Sequence, residues 1–203
     1  MNSEAFERFQ AQVAIGRRAD AAASLAEFIA SFADLEEKRR WVQRFLKPEP
    51  LGHKIRHELY EHVVFPVLLD GYRREDPWSL RWLIETSQNL YRAHHLWEQI
   101  GYKGNHALLT DLVRLCPDDA SLRAELLRKN IDWLQNAVHE WPAGILYGHD
   151  GATLEECAEI ADAVMEARQQ DVDGLHAAFL ADFEGKLAEY VERLKRRKHA
   201  LPQ

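Results

Sequence analysis

Apolar side chains recur along this chain at three- and four-residue intervals, the spacing that lays them along one face of an α-helix. Leu127, Ile131, Leu134, Val138 and Trp141 form one such stripe. Leu154, Cys157, Ala161, Val164 and Met165 form a second, and Phe179, Phe183, Leu187, Tyr190 and Leu194 a third. Each is a stripe, not an all-round apolar surface, so these helices pack on neighbours and turn a polar face to water. No segment alternates apolar and polar residues at period two, so strands are not expected. The pattern predicts helices over 3–16, 20–33, 35–46, 54–70, 77–100 (with a break near His94-His95), 106–116, 119–140, 154–170 and 174–198. The expected fold is all-α: one domain over 1–203, of about nine helices in antiparallel pairs.

Several helix starts carry their own mechanism. Asp34 with Glu37 has the spacing of a cap and its third-position partner. Asp76 precedes Pro77, which fits the first helical position because a missing N–H costs nothing there. Thr153-Leu154-Glu155-Glu156 is a full capping box with acids in the first turn, where they complement the helix dipole. A short turn around Asp171–Gly174 makes the last two helices an antiparallel hairpin. The junction Pro117-Asp118-Asp119-Ala120 is similar to those of tetratricopeptide arrays. The prolines at 50, 77, 117 and 142 are 27, 40 and 25 residues apart, however, so no fixed period supports a regular solenoid. An irregular α–α stack is allowed.

Composition narrows the class without naming a chemistry. Of 203 residues, 46% are apolar and 29% charged, the balance of a globular chain that buries a core without disulfides or metal. The two cysteines, Cys116 and Cys157, lie within helical patterns and read as small buried hydrophobes. Met1-Asn2-Ser3-Glu4-Ala5 has neither a basic nor an apolar signal region, and no apolar run approaches the ~20 residues of a membrane span. A cytoplasmic location away from membranes is expected. The net charge of −7 is unevenly placed. From His149 to Glu192, twelve acids against Arg168 and Lys186 leave −10, and the five bases that follow give +5, so the first 148 residues hold only −2. Such an acidic third disfavours nucleic acid and suits a basic partner.

The candidate chemistry is sparse. In His57-Glu58-Leu59-Tyr60-Glu61-His62 the residue types are those of a zinc-protease helix, which needs its histidines at i and i+4. Here they are five apart, so at ~3.6 residues per turn both cannot face one ion. His53, His57 and Glu61 do share a face, and a metal-dependent helical enzyme using the His57–His62 segment is one alternative. The competing reading is the wet side of a helix whose core side is Ile55, Leu59 and Val63. His94, His95 and His106 flank a glycine loop, with Asn105 the expected cap of the next helix. In the apolar loop 141–152, Ile145, Leu146 and Tyr147 are expected to tuck against the core, while Tyr147, His149 and Asp150 could line a site. After Pro77 the core face is Leu80, Leu83, Ile84, Leu90 and Tyr91, with Trp78 and Trp82 on another face, either covered or offered to a partner.

No Ser/His/Asp order, paired-carboxylate motif or phosphate cradle stands out, so no catalytic set, metal or cofactor is expected. The leading expectation is a protein-binding protein, at its most specific an immunity protein or antitoxin that neutralises a basic toxin domain. The alternative is a helical adapter or regulator that holds a peptide or protein in a groove. The expected partner surface comprises Glu155, Glu156, Glu159, Asp162 and Glu166 on one helix, Asp182, Glu189 and Glu192 on the next, and Trp78 and Trp82.

Overall fold

The computed structural model describes residues 1–47, 55–146 and 151–200, with side chains as far as Arg197. Among the described residues every regular element is helical, and nine helices reach seven residues or more. Contacts gather the chain into two compact units, Met1–Cys116 and Pro117–Gln203.

The first unit opens with α1 (Ser3–Ala14) and α2 (Arg18–Ala30). They run antiparallel: Asn2 N donates to Ser31 Oγ at 2.7 Å at one end, and Arg8 pairs with Glu27 at 2.5 Å. α3 (Leu35–Phe45) is capped by Asp34, which accepts from Glu37 N at 2.7 Å. Glu37 does not close a capping box, because its carboxylate accepts from Ala33 N at 2.9 Å. Aromatic rings join the three helices. Phe6 and Phe28 lie 4.8 Å apart, Phe28 and Trp41 5.1 Å, and Trp41 stacks on Phe45 at 4.6 Å.

Next come α4 (His57–Leu59), a π turn (Tyr60–Val64) and α5 (Phe65–Arg73), without interruption. The sequence predicts one regular helix over 54–70, whose start lies outside the described residues. Pro66 accounts for the π turn. It has no N–H for the His62 carbonyl, and its ring would crowd that carbonyl in a regular helix. The chain widens by one residue, so Phe65 N donates to Tyr60 O five positions back. The released His62 carbonyl accepts from Lys38 Nζ of α3 at 2.8 Å.

The predicted helix over 77–100 is three pieces, α6 (Pro77–Glu85), α7 (Ser87–Tyr91) and α8 (His94–Glu98). The expected break falls at Ala93, and Thr86 adds another. Its hydroxyl donates to Trp82 O at 2.6 Å, a bond to the preceding turn that bends helices. α6 starts as its sequence implies, with Asp76 accepting from Ser79 N at 3.2 Å and Ser79 Oγ at 2.6 Å. α9 (Asn105–Leu115) corrects the expected cap: Gly104 holds that position, and Asn105 exchanges hydrogen bonds with the Tyr91 hydroxyl instead. That bond holds Tyr91, expected in the core, on the surface.

The second unit is α10 (Ala120–Ala137), α11 (Leu154–Gln170) and α12 (Ala177–Ala200). Its core joins Ile131 and Leu134 of α10 to Cys157, Ile160, Val164 and Ala167 of α11 and to Leu180, Phe183, Leu187 and Tyr190 of α12. The loop residue Ile145 is buried beside them, with Leu146 partly buried against the cluster. The α11 stripe needs correcting: Leu154 and Met165 are exposed, while Ile160 and Ala167 take core places. α11 and α12 are antiparallel as expected. The Arg168 guanidinium forks onto the Glu184 carboxylate at 2.7 Å near the turn, and the Tyr190 hydroxyl donates to Ala152 O at 3.1 Å at the opposite end. In the turn, His176 N donates to Asp171 Oδ2 at 2.8 Å, and Gly174 takes the left-handed conformation with φ +67°.

Candidate functional site

The acidic candidates fall on one face because of where α11 begins and what it buries. Thr153 Oγ1 accepts from Glu156 N at 3.2 Å, and Glu156 returns its carboxylate to Thr153 N at 2.8 Å, which closes the capping box. That start sets the phase. Cys157, Ile160, Val164 and Ala167 turn inward. Glu155, Glu159, Asp162 and Glu166, at steps of four, three and four residues, then lie within about 60° of arc on the side away from the core. Glu155, Glu159 and Asp162 are exposed and have no ion-pair partner among the described residues.

The remaining acids are already engaged to different degrees. Glu156 belongs to the cap, and the Thr153 amide holds its carboxyl below the usual carboxylate range. Glu166 accepts from Gln170 Nε2 at 3.1 Å, and Gln170 in turn accepts from Asn130 of α10. Asp182 pairs with Lys186 at 2.6 Å and Glu192 with Lys195 at 2.9 Å, both within α12. Glu189 is exposed and has no such partner among the described residues. The two tryptophans do not form an open aromatic patch. Trp82 is only 9% exposed, and Trp78 is half-buried with its ring 6.4 Å from that of Trp82.

The His57–His62 segment is a wet helix face over the buried Ile55, Leu59 and Val63. Glu61 is its centre: its carboxylate lies 3.4 Å from His57 Nε2 and 2.8 Å from His95 Nε2. Sequence spacing reveals the first contact but not the second, which spans 34 residues. Among the described residues, no three His, Cys, Asp or Glu side chains are arranged to hold a metal ion. His53, Tyr147, His149 and Asp150 lie outside the described residues.

The contact with His95, helped by His62 and His57, holds the Glu61 carboxyl below its ordinary value. A carboxyl whose folded value is depressed stabilises the fold above its unfolded value and loses that contribution as pH falls through the folded one. Glu61→Gln should therefore lower stability at neutral pH, with the difference from wild type shrinking in acid below the usual glutamate range. Denaturation midpoints across pH check this; a difference independent of pH would contradict it.

Both cysteines are free. Cys157 is buried, and burial with Glu156 nearby pushes its thiol up, away from the reactive thiolate. Cys116 is half-buried. Tyr60 is fully buried against Thr86, and burial pushes its phenol up to about 12, so it is neutral at any ordinary pH. Among the described residues no helix is long and apolar enough to cross a membrane.

No family model matches the chain, and neither a curated protein nor a solved structure matches it.

Proposed function

We propose that this protein binds another protein, and that the acidic outer face of α11, with α12 beside it, captures a basic partner. In its sharpest form the reading is a cytoplasmic immunity protein or antitoxin that masks a basic toxin domain. One observation carries the proposal: Glu155, Glu159, Asp162 and Glu166 share a stripe opposite the core, three of them without a partner among the described residues. Like charges held on one face repel one another and lower stability. A partner of opposite charge relieves that repulsion and is drawn in faster by the field.

The test compares the wild-type chain with E159K/D162K/E166K as immobilised baits for native lysate, with bound proteins identified by mass spectrometry. A basic protein should be enriched on the wild type and depleted on the variant, with helicity and melting unchanged. Equal capture by both would place the interface elsewhere.

A further inference from the structure

Arg193 of α12 has a guanidinium that the protein only partly satisfies. The group lies 4.8 Å from the centre of the Trp141 ring and 5.4 Å from that of Tyr190, and Nη1 donates to the Pro142 carbonyl at 2.8 Å. The other two nitrogens, Nε and Nη2, are buried and have no hydrogen-bond acceptor among the described residues. A guanidinium is always charged and has donors only, so a buried edge without an acceptor is costly. Buried donors are nearly always paired, and a standing exception calls for a reason.

Arg168 shows what that edge does elsewhere in the same unit: through Nε and Nη2, both at 2.7 Å, it forks onto the Glu184 carboxylate. Arg193 makes no such pair, although Glu189 stands one turn back on α12, at the spacing of a helical ion pair, and is exposed without a partner among the described residues. The side chain turns instead to the two rings, which attract a cation with their faces but offer the N–H groups no acceptor. One turn further on, Arg197 is exposed and has no ion-pair partner among the described residues, and no acid follows Glu192 in the chain. Two guanidiniums thus stand one helical turn apart, neither paired to a carboxylate among the described residues. Arg193 is half-buried and Pro142 exposed, which puts this pair at the surface of the unit.

We infer that Arg193 anchors an oxyanion, the carboxylate or phosphate group of a ligand, whose two oxygens take the N–H groups of Nε and Nη2 while Arg197 adds charge from the next turn. Seating it takes a swing of the guanidinium toward solvent about its one bond to Pro142, with Trp141 and Tyr190 as the walls that keep the fork aligned. None of these residues belongs to the acidic face, so this site and the partner reading stand or fall separately.

The test is a titration of the full, isotope-labelled chain followed by NMR at the arginine Nε–H groups. These are assigned through bonds in the wild type, so no variant has to fold for the first readout. Acetate and phosphate are added in turn, with sodium chloride as the control for ionic strength. One of the two anions should move the Arg193 Nε–H resonance saturably, with the Trp141 indole N–H following at the same midpoint. Arg168, already forked onto Glu184, should stay put. Acetate binding at least tenfold more tightly than phosphate would name a carboxylate ligand, and the reverse a phosphate. Arg197→Gln should weaken binding at least threefold, and Arg193→Met should abolish the shift at Trp141. A movement of Arg193 that never saturates, or that chloride reproduces at equal ionic strength, would overturn the site and leave water as the partner of the free edge. A saturable shift at Trp141 that survives Arg193→Met would also overturn it, by placing the anion elsewhere.

Discussion

Leu134→Ala should destabilise the second unit by about 2–5 kcal/mol, the range for removing a large aliphatic side chain from a packed core. Leu134 is 0% exposed on α10 and belongs to the cluster that ties this helix to α11 and α12. Truncation loses the transfer free energy of the removed carbons and leaves a cavity that three long helices cannot close without shifting. Glu159→Ala, on the opposite side of α11 from the core, should barely move the chemical-denaturation midpoint. Equal effects of the two substitutions would mean that the helix phases assigned to α10 and α11 are wrong.

The second large effect lies in the first unit, where α5 and α6 come together at Gly71. A Cβ on Gly71 would stand 1.9 Å from Ser79 Oγ and 2.5 Å from Ser79 Cβ. Ser79 cannot easily yield, since it is 2% exposed and its hydroxyl donates to the Asp76 carboxylate that caps α6. Gly71→Ala must therefore push the two helices apart or break the cap. Overpacking of this kind costs about 1–3 kcal/mol, and a lost cap about 1 more. A double-mutant cycle identifies the cause. Ser79→Gly alone should destabilise, because it introduces a helical glycine and removes the cap contact. In the Gly71→Ala background the same change should stabilise, because it removes the atoms in conflict. A destabilisation of the same size in both backgrounds would show that the close approach is not what Gly71 is for.

These two sites differ in how far the sequence reveals them. The Leu134 stripe is readable because α10 has a single apolar face with regular spacing. Gly71 within α5 looks like a weak helix former, and only the approach of Ser79, eight residues on, gives it a reason. The same divide runs through the rest of the chain. Asp34, Asp76 and Thr153 cap as their local sequences imply, because a cap is satisfied within three residues. The π turn has a local cause in Pro66, a residue that cannot sit in a regular helix without freeing a carbonyl, but the helical periodicity over 54–70 passes over it. The kink at Thr86 depends on which acceptor a hydroxyl finds.

At the candidate site, α11 has apolar residues on two adjoining stripes. Cys157, Ile160, Val164 and Ala167 are buried in the core and Ala161 is partly buried against it, whereas Met165 is exposed. Spacing alone cannot separate these stripes, because the division depends on where α12 lies. The acids gave a better signal. Glu155, Glu159 and Asp162 fall at helical spacing opposite the apolar positions, and their exposure follows from phase alone. The contact between Glu61 and His95 has no counterpart in the sequence pattern, since it joins separate helical segments.

The measurement that tests the central claim most directly is the association rate of the captured partner with wild-type protein and with E159K/D162K/E166K, followed by stopped-flow at several salt concentrations. Screening shortens the reach of exposed charges to ~8 Å at physiological ionic strength, so a steered encounter slows as salt is added. With a basic partner, the wild type should show that slowing. The variant should associate more slowly at low salt, and its rate should depend less on salt, while its circular dichroism and melting match the wild type. An association rate and affinity unchanged by the three reversals, with the fold intact, would contradict the claim that the outer face of α11 captures the partner.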